Sequence, residues 1–139
     1  LEWLLSRFTG YVGVTNFDNS KFTASANHLR PILSNLKDRG LMILDSRATE
    51  GSVASALSNE IGLPHAVNNR FLDSEASRVS IDGNLFELEQ IALSTGSAVG
   101  IGYPFPVTIE RLATWIESLE DKKLVLAPIS AVARLPVKE

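Results

Sequence analysis

Along this chain, apolar residues recur first at helical spacing and then in short unbroken runs, and the alternation repeats through most of the length. Leu1, Leu4, Leu5 and Phe8 stand at helical spacing. Gly10 breaks that pattern, and Tyr11–Thr15 reads as a short strand followed by a polar, turn-like Asn16–Lys21. In the next segment Leu29, Ile32, Leu33 and Leu36 occupy the i, i+3, i+4, i+7 positions of one buried helix face. Pro31 lies within it and places the helix start close by, where a missing N–H does no harm. Gly40 supplies the stop after Arg39.

The continuous apolar run Leu41–Leu44 fits a strand buried on both faces, as in a parallel sheet. A helix is predicted from about Ser52 to Ile61, with Gly62 as its stop, and a short strand at His65–Val67. Asn68–Ser74 reads as a loop. A longer helix spans Ser80 to Thr95, with Ile81, Leu85, Leu88 and Ala92 on one face and Gly96 ending it. Ala98–Ile101 is the next strand. Thr108 is placed to cap a helix carrying Ile109, Leu112, Ala113, Ile116 and Leu119, with Glu110 suited to the helix dipole. Leu124–Ala127 reads as the last strand.

Strands alternating with helices imply right-handed crossovers and a mainly parallel α/β sheet. No linker or repeat divides the 139 residues, so a single domain is expected. The chain opens at Leu1 inside a helical pattern with no cap, which predicts a missing upstream segment. Hydrophobic residues make up 45% and charged residues 21%, ordinary values that exclude a disordered chain. The net charge of −3, with Lys and Arg scattered, argues against nucleic-acid binding. Cysteine is absent, which removes thiol catalysis and thiolate metal sites. No apolar run approaches the roughly 20 residues of a membrane span.

Ligands in parallel α/β folds bind outside the carboxyl ends of the strands. That rule selects Asn16 and Asp18 after the first strand, Asp45, Ser46 and Arg47 after the second, Asp73 after the third and Tyr103 after the fourth. Each has a plainer role available. Asp45-Ser46 would cap a turn, Arg47 would pair with Asp45 or Glu50, Asn16 would bond its own loop, and Asp73 would cap the long helix or its preceding turn. Tyr103 would be a packed loop aromatic. There is no phosphate-binding glycine loop and no Gly-x-Ser-x-Gly elbow. The two histidines, His28 on a helix surface and His65 at a strand's start, are too separated to found a zinc site.

Several stretches, in order, resemble the divergent polysaccharide deacetylases. The segment from Gly10 to Phe22 is similar to that family's Gly-Val-x-Asn-His-Met-Gly-Ser-x-Phe. Arg39-Gly40-Leu41 followed by Leu44-Asp45-Ser46-Arg47 resembles its Arg-Gly-Leu and Leu-Asp-Ser-Arg, and Phe71-Leu72-Asp73 its Phe-Leu-Asp. Gly96 to Pro104, then Pro106-Val107-Thr108-Ile109-Glu110 and Pro128-Ile129-Ser130, resemble the remaining motifs. The resemblance implies part, the C-terminal portion, of a deformed (β/α) barrel of the NodB type. It also implies a bacterial periplasmic or envelope location. The implied reaction is deacetylation of polysaccharide, with zinc or another divalent metal held by Asp and His activating water.

This sequence departs from the family at two ligand positions: Phe17 and Tyr103 stand where the family has His. Phenyl binds no metal and a phenol is a poor substitute for imidazole. No cofactor is therefore expected in this chain itself. Two function classes follow: a metal-dependent deacetylase whose ligands come from elsewhere, and a non-catalytic homologue binding a glycan or an envelope protein through the same residues. A nucleotide-binding module is a third, disfavoured by the missing phosphate loop. An unpaired sheet edge would further favour a homodimer, or cover by the rest of its own chain.

Overall fold

The structure is a computed structural model, and it describes residues 1–16 and 20–135. These fall into two compact units, one of Leu1–Val67 with the segment from Ala133, the other Asn68–Val132.

In the first unit the order is α1 (Glu2–Leu5), β1 (Gly13–Thr15), α2 (Ser20–Thr23), α3 (Ala26–Asp38), β2 (Met42–Asp45), α4 (Ala54–Ile61) and β3 (His65–Val67). The three strands make one parallel sheet in the order β1-β2-β3, with Val14 opposite Ile43 and Leu44 opposite Ala66. Such pairing requires crossovers, and α3 and α4 supply them. Leu29, Leu33 and Leu36 of α3 form a core with Ile43, Ala54, Leu57 and Leu63. The backbone of Arg134 bridges that of His65 in the antiparallel sense. Gly13 sits where β1 and β2 approach most closely: a Cβ there would fall on the side chain and carbonyl of Met42.

In the second unit β4 (Arg70–Phe71) pairs in parallel with β5 (Gly100–Ile101) across α5 (Arg78–Thr95). Then come α6 (Pro106–Glu117) and α7 (Ile129–Val132). Leu72, Ile81, Leu85 and Leu88 form its core, with Leu112 and Trp115 packed against it.

The expected α/β class, with parallel strands and alternating helices, is therefore present, and four expectations need correction. Helix α3 begins at Ala26, so Pro31 lies inside it and not at its start. The fully buried Leu29, Leu33 and Leu36 hold the helix through the lost backbone bond. The stretch expected to be a loop contains β4, a strand of two residues, too short to show any periodicity. Leu124–Ala127 forms no strand, and Val125 and Leu126 are exposed. Finally, α6 starts at Pro106, whose fixed φ suits the first helical position. Thr108 therefore lies within the helix, its hydroxyl engaged elsewhere.

Candidate functional site

Two polar clusters stand at the carboxyl ends of parallel strands, one in each unit. In the first unit, Asn16 follows β1, while Ser46 and Arg47 follow Asp45 at the end of β2. The Asn16 side chain bonds across the strands. Its Oδ1 accepts from the Ser46 amide at 2.9 Å and its Nδ2 donates to Ser46 Oγ at 2.8 Å. Asp45 is only 2% exposed. Its Oδ1 accepts from the Arg47 amide at 2.9 Å and its Oδ2 from the Ser52 hydroxyl at 2.7 Å. The carboxylate thus holds the turn, as a turn-capping role requires, and ties it to the approach of α4.

Arg47 adopts φ +50°, the left-handed region that a side chain with a Cβ enters at a cost of about 1–2 kcal/mol. Lys123 is the other non-glycine residue there among the described residues, and it closes the turn after α6, where Leu124 bonds back to Leu119. The Arg47 guanidinium is exposed and forms no ion pair with Asp45, Glu50 or any other described carboxylate. Both partners available to it in the sequence go unused. Asp18 and Phe17 lie outside the described residues.

In the second unit Asp73 does not cap α5; Ser77 does, accepting from the Ser80 amide at 3.2 Å. Asp73 is 4% exposed, and its Oδ2 accepts from the Tyr103 amide and from the Thr108 hydroxyl, both at 2.7 Å. One carboxylate oxygen so joins the ends of β4 and β5 to the first turn of α6. The other, Oδ1, is buried without a hydrogen-bond partner among the described residues. The Tyr103 ring is partly exposed and packs obliquely on Phe105, centroids 5.8 Å apart. Thr108, fully buried, was missed as a site residue because its partner lies 35 residues away in sequence.

His65 is buried, with Nε2 3.1 Å from Ser55 Oγ and Nδ1 3.2 Å from the Leu63 carbonyl, and it stands at the start of β3, away from the carboxyl ends. His28 is exposed beside Ser25. Among the described residues no three His, Asp or Glu side chains gather closely enough to hold a metal ion.

The divergent polysaccharide deacetylase model matches residues 1–133 of this chain. The chain belongs to that family. A curated relative from Haemophilus influenzae, an uncharacterized protein, is 30% identical over 115 residues, which cover 82% of this chain and 41% of the relative. The uncharacterized protein YibQ of Escherichia coli is 25% identical over 108 residues, covering 78% of this chain and 34% of that protein. The crystal structure of an uncharacterized protein from Agrobacterium tumefaciens superposes with a TM-score of 0.88 at 28% identity, covering 91% of this chain and 51% of that one. The chain thus spans about a third to a half of the length of these relatives. Tyr103, where the resemblance expects His, lies in the loop after β5, outside the unit's core.

Proposed function

We propose that this family member engages acetylated glycan of the bacterial envelope, and that its own strand ends supply recognition and not hydrolysis. The observation that carries the reading is the construction of those ends. Buried Asp45 and half-buried Asn16 spend their hydrogen bonds fixing Ser46 and Arg47, which is how a binding surface is pre-organised. Hydroxyls and amides of a sugar are matched by such fixed polar groups, and in the second unit by itself the exposed Tyr103 ring offers a face on which a sugar can pack.

Hydrolysis of an acetyl group in this family is expected to need a metal-activated water. This chain's described residues offer no ligand set for it, and Phe17 and Tyr103 stand where the resemblance expects His. A metal site in any longer protein would draw its ligands from elsewhere.

Two parallel assays test the reading. The chain is titrated with an acetylated chitooligosaccharide by calorimetry, and acetate release is followed with and without added zinc. Binding that weakens on Asp45→Ala, with no acetate released, is the expected result. Zinc bound by the chain together with turnover overturns it.

A further inference from the structure

We propose that Arg47 is the specificity-determining residue of this surface, and that it recognises an anionic group on the glycan, a carboxylate or a phosphate ester. The inference deepens the glycan-binding reading and rests on it. Three observations lead to it. First, Arg47 holds a left-handed backbone conformation, φ +50°, where glycine or asparagine would sit without strain. A turn that needed only this backbone shape would be served better by either. Second, the conformation is enforced from below. Asp45 accepts from the Arg47 amide, Asn16 from the Ser46 amide, and Ser52 secures the second oxygen of Asp45. Backbone held in a sparsely populated region by surrounding contacts marks a position where the side chain matters.

Third, the guanidinium is exposed and carries no structural load. The nearest acidic candidates in sequence, Asp45 and Glu50, do not pair with it. The Asp45 carboxylate bonds the Arg47 amide and the Ser52 hydroxyl, and makes no ion pair with the guanidinium two residues on. Arg30, Arg39, Arg70, Arg78 and Arg111 each engage a glutamate or aspartate, whereas Arg47, like Arg7 and Arg134, pairs with none among the described residues. A guanidinium presents a planar fork that matches a carboxylate or phosphate with two parallel bonds. Fixing its Cα at the end of a buried strand lowers the entropy lost when that fork closes on an anion.

The test compares two oligosaccharides of equal length by calorimetry at low salt: a neutral N-acetylglucosamine oligomer, and one alternating N-acetylglucosamine with a uronic acid. Inorganic phosphate serves as competitor. The expected result is binding of the uronate oligomer about tenfold tighter than the neutral one, a preference that salt reduces. Arg47→Gln and Arg47→Gly should both abolish the preference, each variant binding the uronate oligomer no tighter than the neutral one. Arg47→Gly should melt no lower than the parent chain, since glycine accepts this backbone. Competition by phosphate at concentrations that leave neutral binding intact points to a phosphate ester as the natural group; its absence points to a carboxylate. Equal affinity for the two oligomers overturns the role of Arg47 and leaves glycan binding standing. Failure of both to bind overturns the glycan reading and this inference together. A large loss of thermal stability in Arg47→Gly shows a structural side chain and also overturns it.

Discussion

Replacing Asp73 with alanine tests how the ends of β4, β5 and α6 are held together. The carboxylate is 4% exposed and one of its oxygens takes two donors, the Tyr103 amide and the Thr108 hydroxyl, each at 2.7 Å. Hydrogen bonds to a charged acceptor contribute about 1.5–3 kcal/mol each, and removing the acceptor strands a buried Thr108 hydroxyl, so Asp73→Ala should cost about 3–5 kcal/mol. That is a large part of the roughly 5–15 kcal/mol that stabilises a domain. Asp73→Asn keeps an oxygen for both donors but sets an amide NH2 at the buried, unpartnered Oδ1 position, and should cost about 1–2 kcal/mol. Thr108→Val removes one donor without stranding an acceptor and should cost about the same, roughly 1–2 kcal/mol. Because the two side chains touch, the double variant Asp73→Ala with Thr108→Val should lose less than the sum, by about 1–2 kcal/mol. Urea unfolding followed by fluorescence of Trp115, which packs in the same unit, reads all four. A cost below about 0.5 kcal/mol for Asp73→Ala, or strict additivity in the cycle, would refute the reasoning.

Other positions give further tests. Gly13→Ala should lower the melting temperature sharply or prevent folding, because its Cβ meets the Met42 carbonyl across the β1–β2 pair; an unchanged melting curve would contradict that register. Leu33→Ala, at a fully buried site of α3, should cost about 2–5 kcal/mol by urea unfolding. The Arg30 hydrogen bond, and then its charge, hold the Glu60 carboxyl below the ordinary glutamate range. A folded-state value lowered in this way stabilises above the ordinary range, and the contribution is lost as pH falls through the lowered value. The pair is fully exposed, so the melting difference between the parent and Glu60→Gln should be small at neutral pH, vanish in acid, and vanish in about 1 M salt.

The helices and their stops were the most legible part of this sequence. The leucines of α3 and α5 repeat at helical spacing, and Gly40, Gly62 and Gly96 all take the left-handed conformation that ends a helix. Legibility failed where structure is shorter than any period or is made by distant partners. Strand β4 is two residues long, and only its pairing with Gly100 and Ile101 defines it. Leu124–Ala127 has the composition of a buried strand, yet no sheet edge receives it among the described residues. At the candidate site, strand-end reasoning selected Asn16, Asp45, Ser46, Arg47, Asp73 and Tyr103, together with Asp18, which lies outside the described residues. The bonds that organise them, Asn16 to Ser46 and Asp73 to Tyr103, each span 30 residues and leave no local signal. Family motifs marked the same positions without saying which side chain supports which. The unpaired guanidinium of Arg47 became visible only once both of its nearby acidic residues were seen to be otherwise placed.

Backbone amide resonances of the isotopically labelled chain, recorded during titration with an acetylated oligosaccharide, test the central claim most directly. Glycan recognition at the strand ends predicts saturable shifts at Asn16, Ser46 and Arg47, with the sugar's acetyl groups intact at the end of the titration. Shifts confined to other surfaces, or free acetate accumulating in the tube, would contradict it.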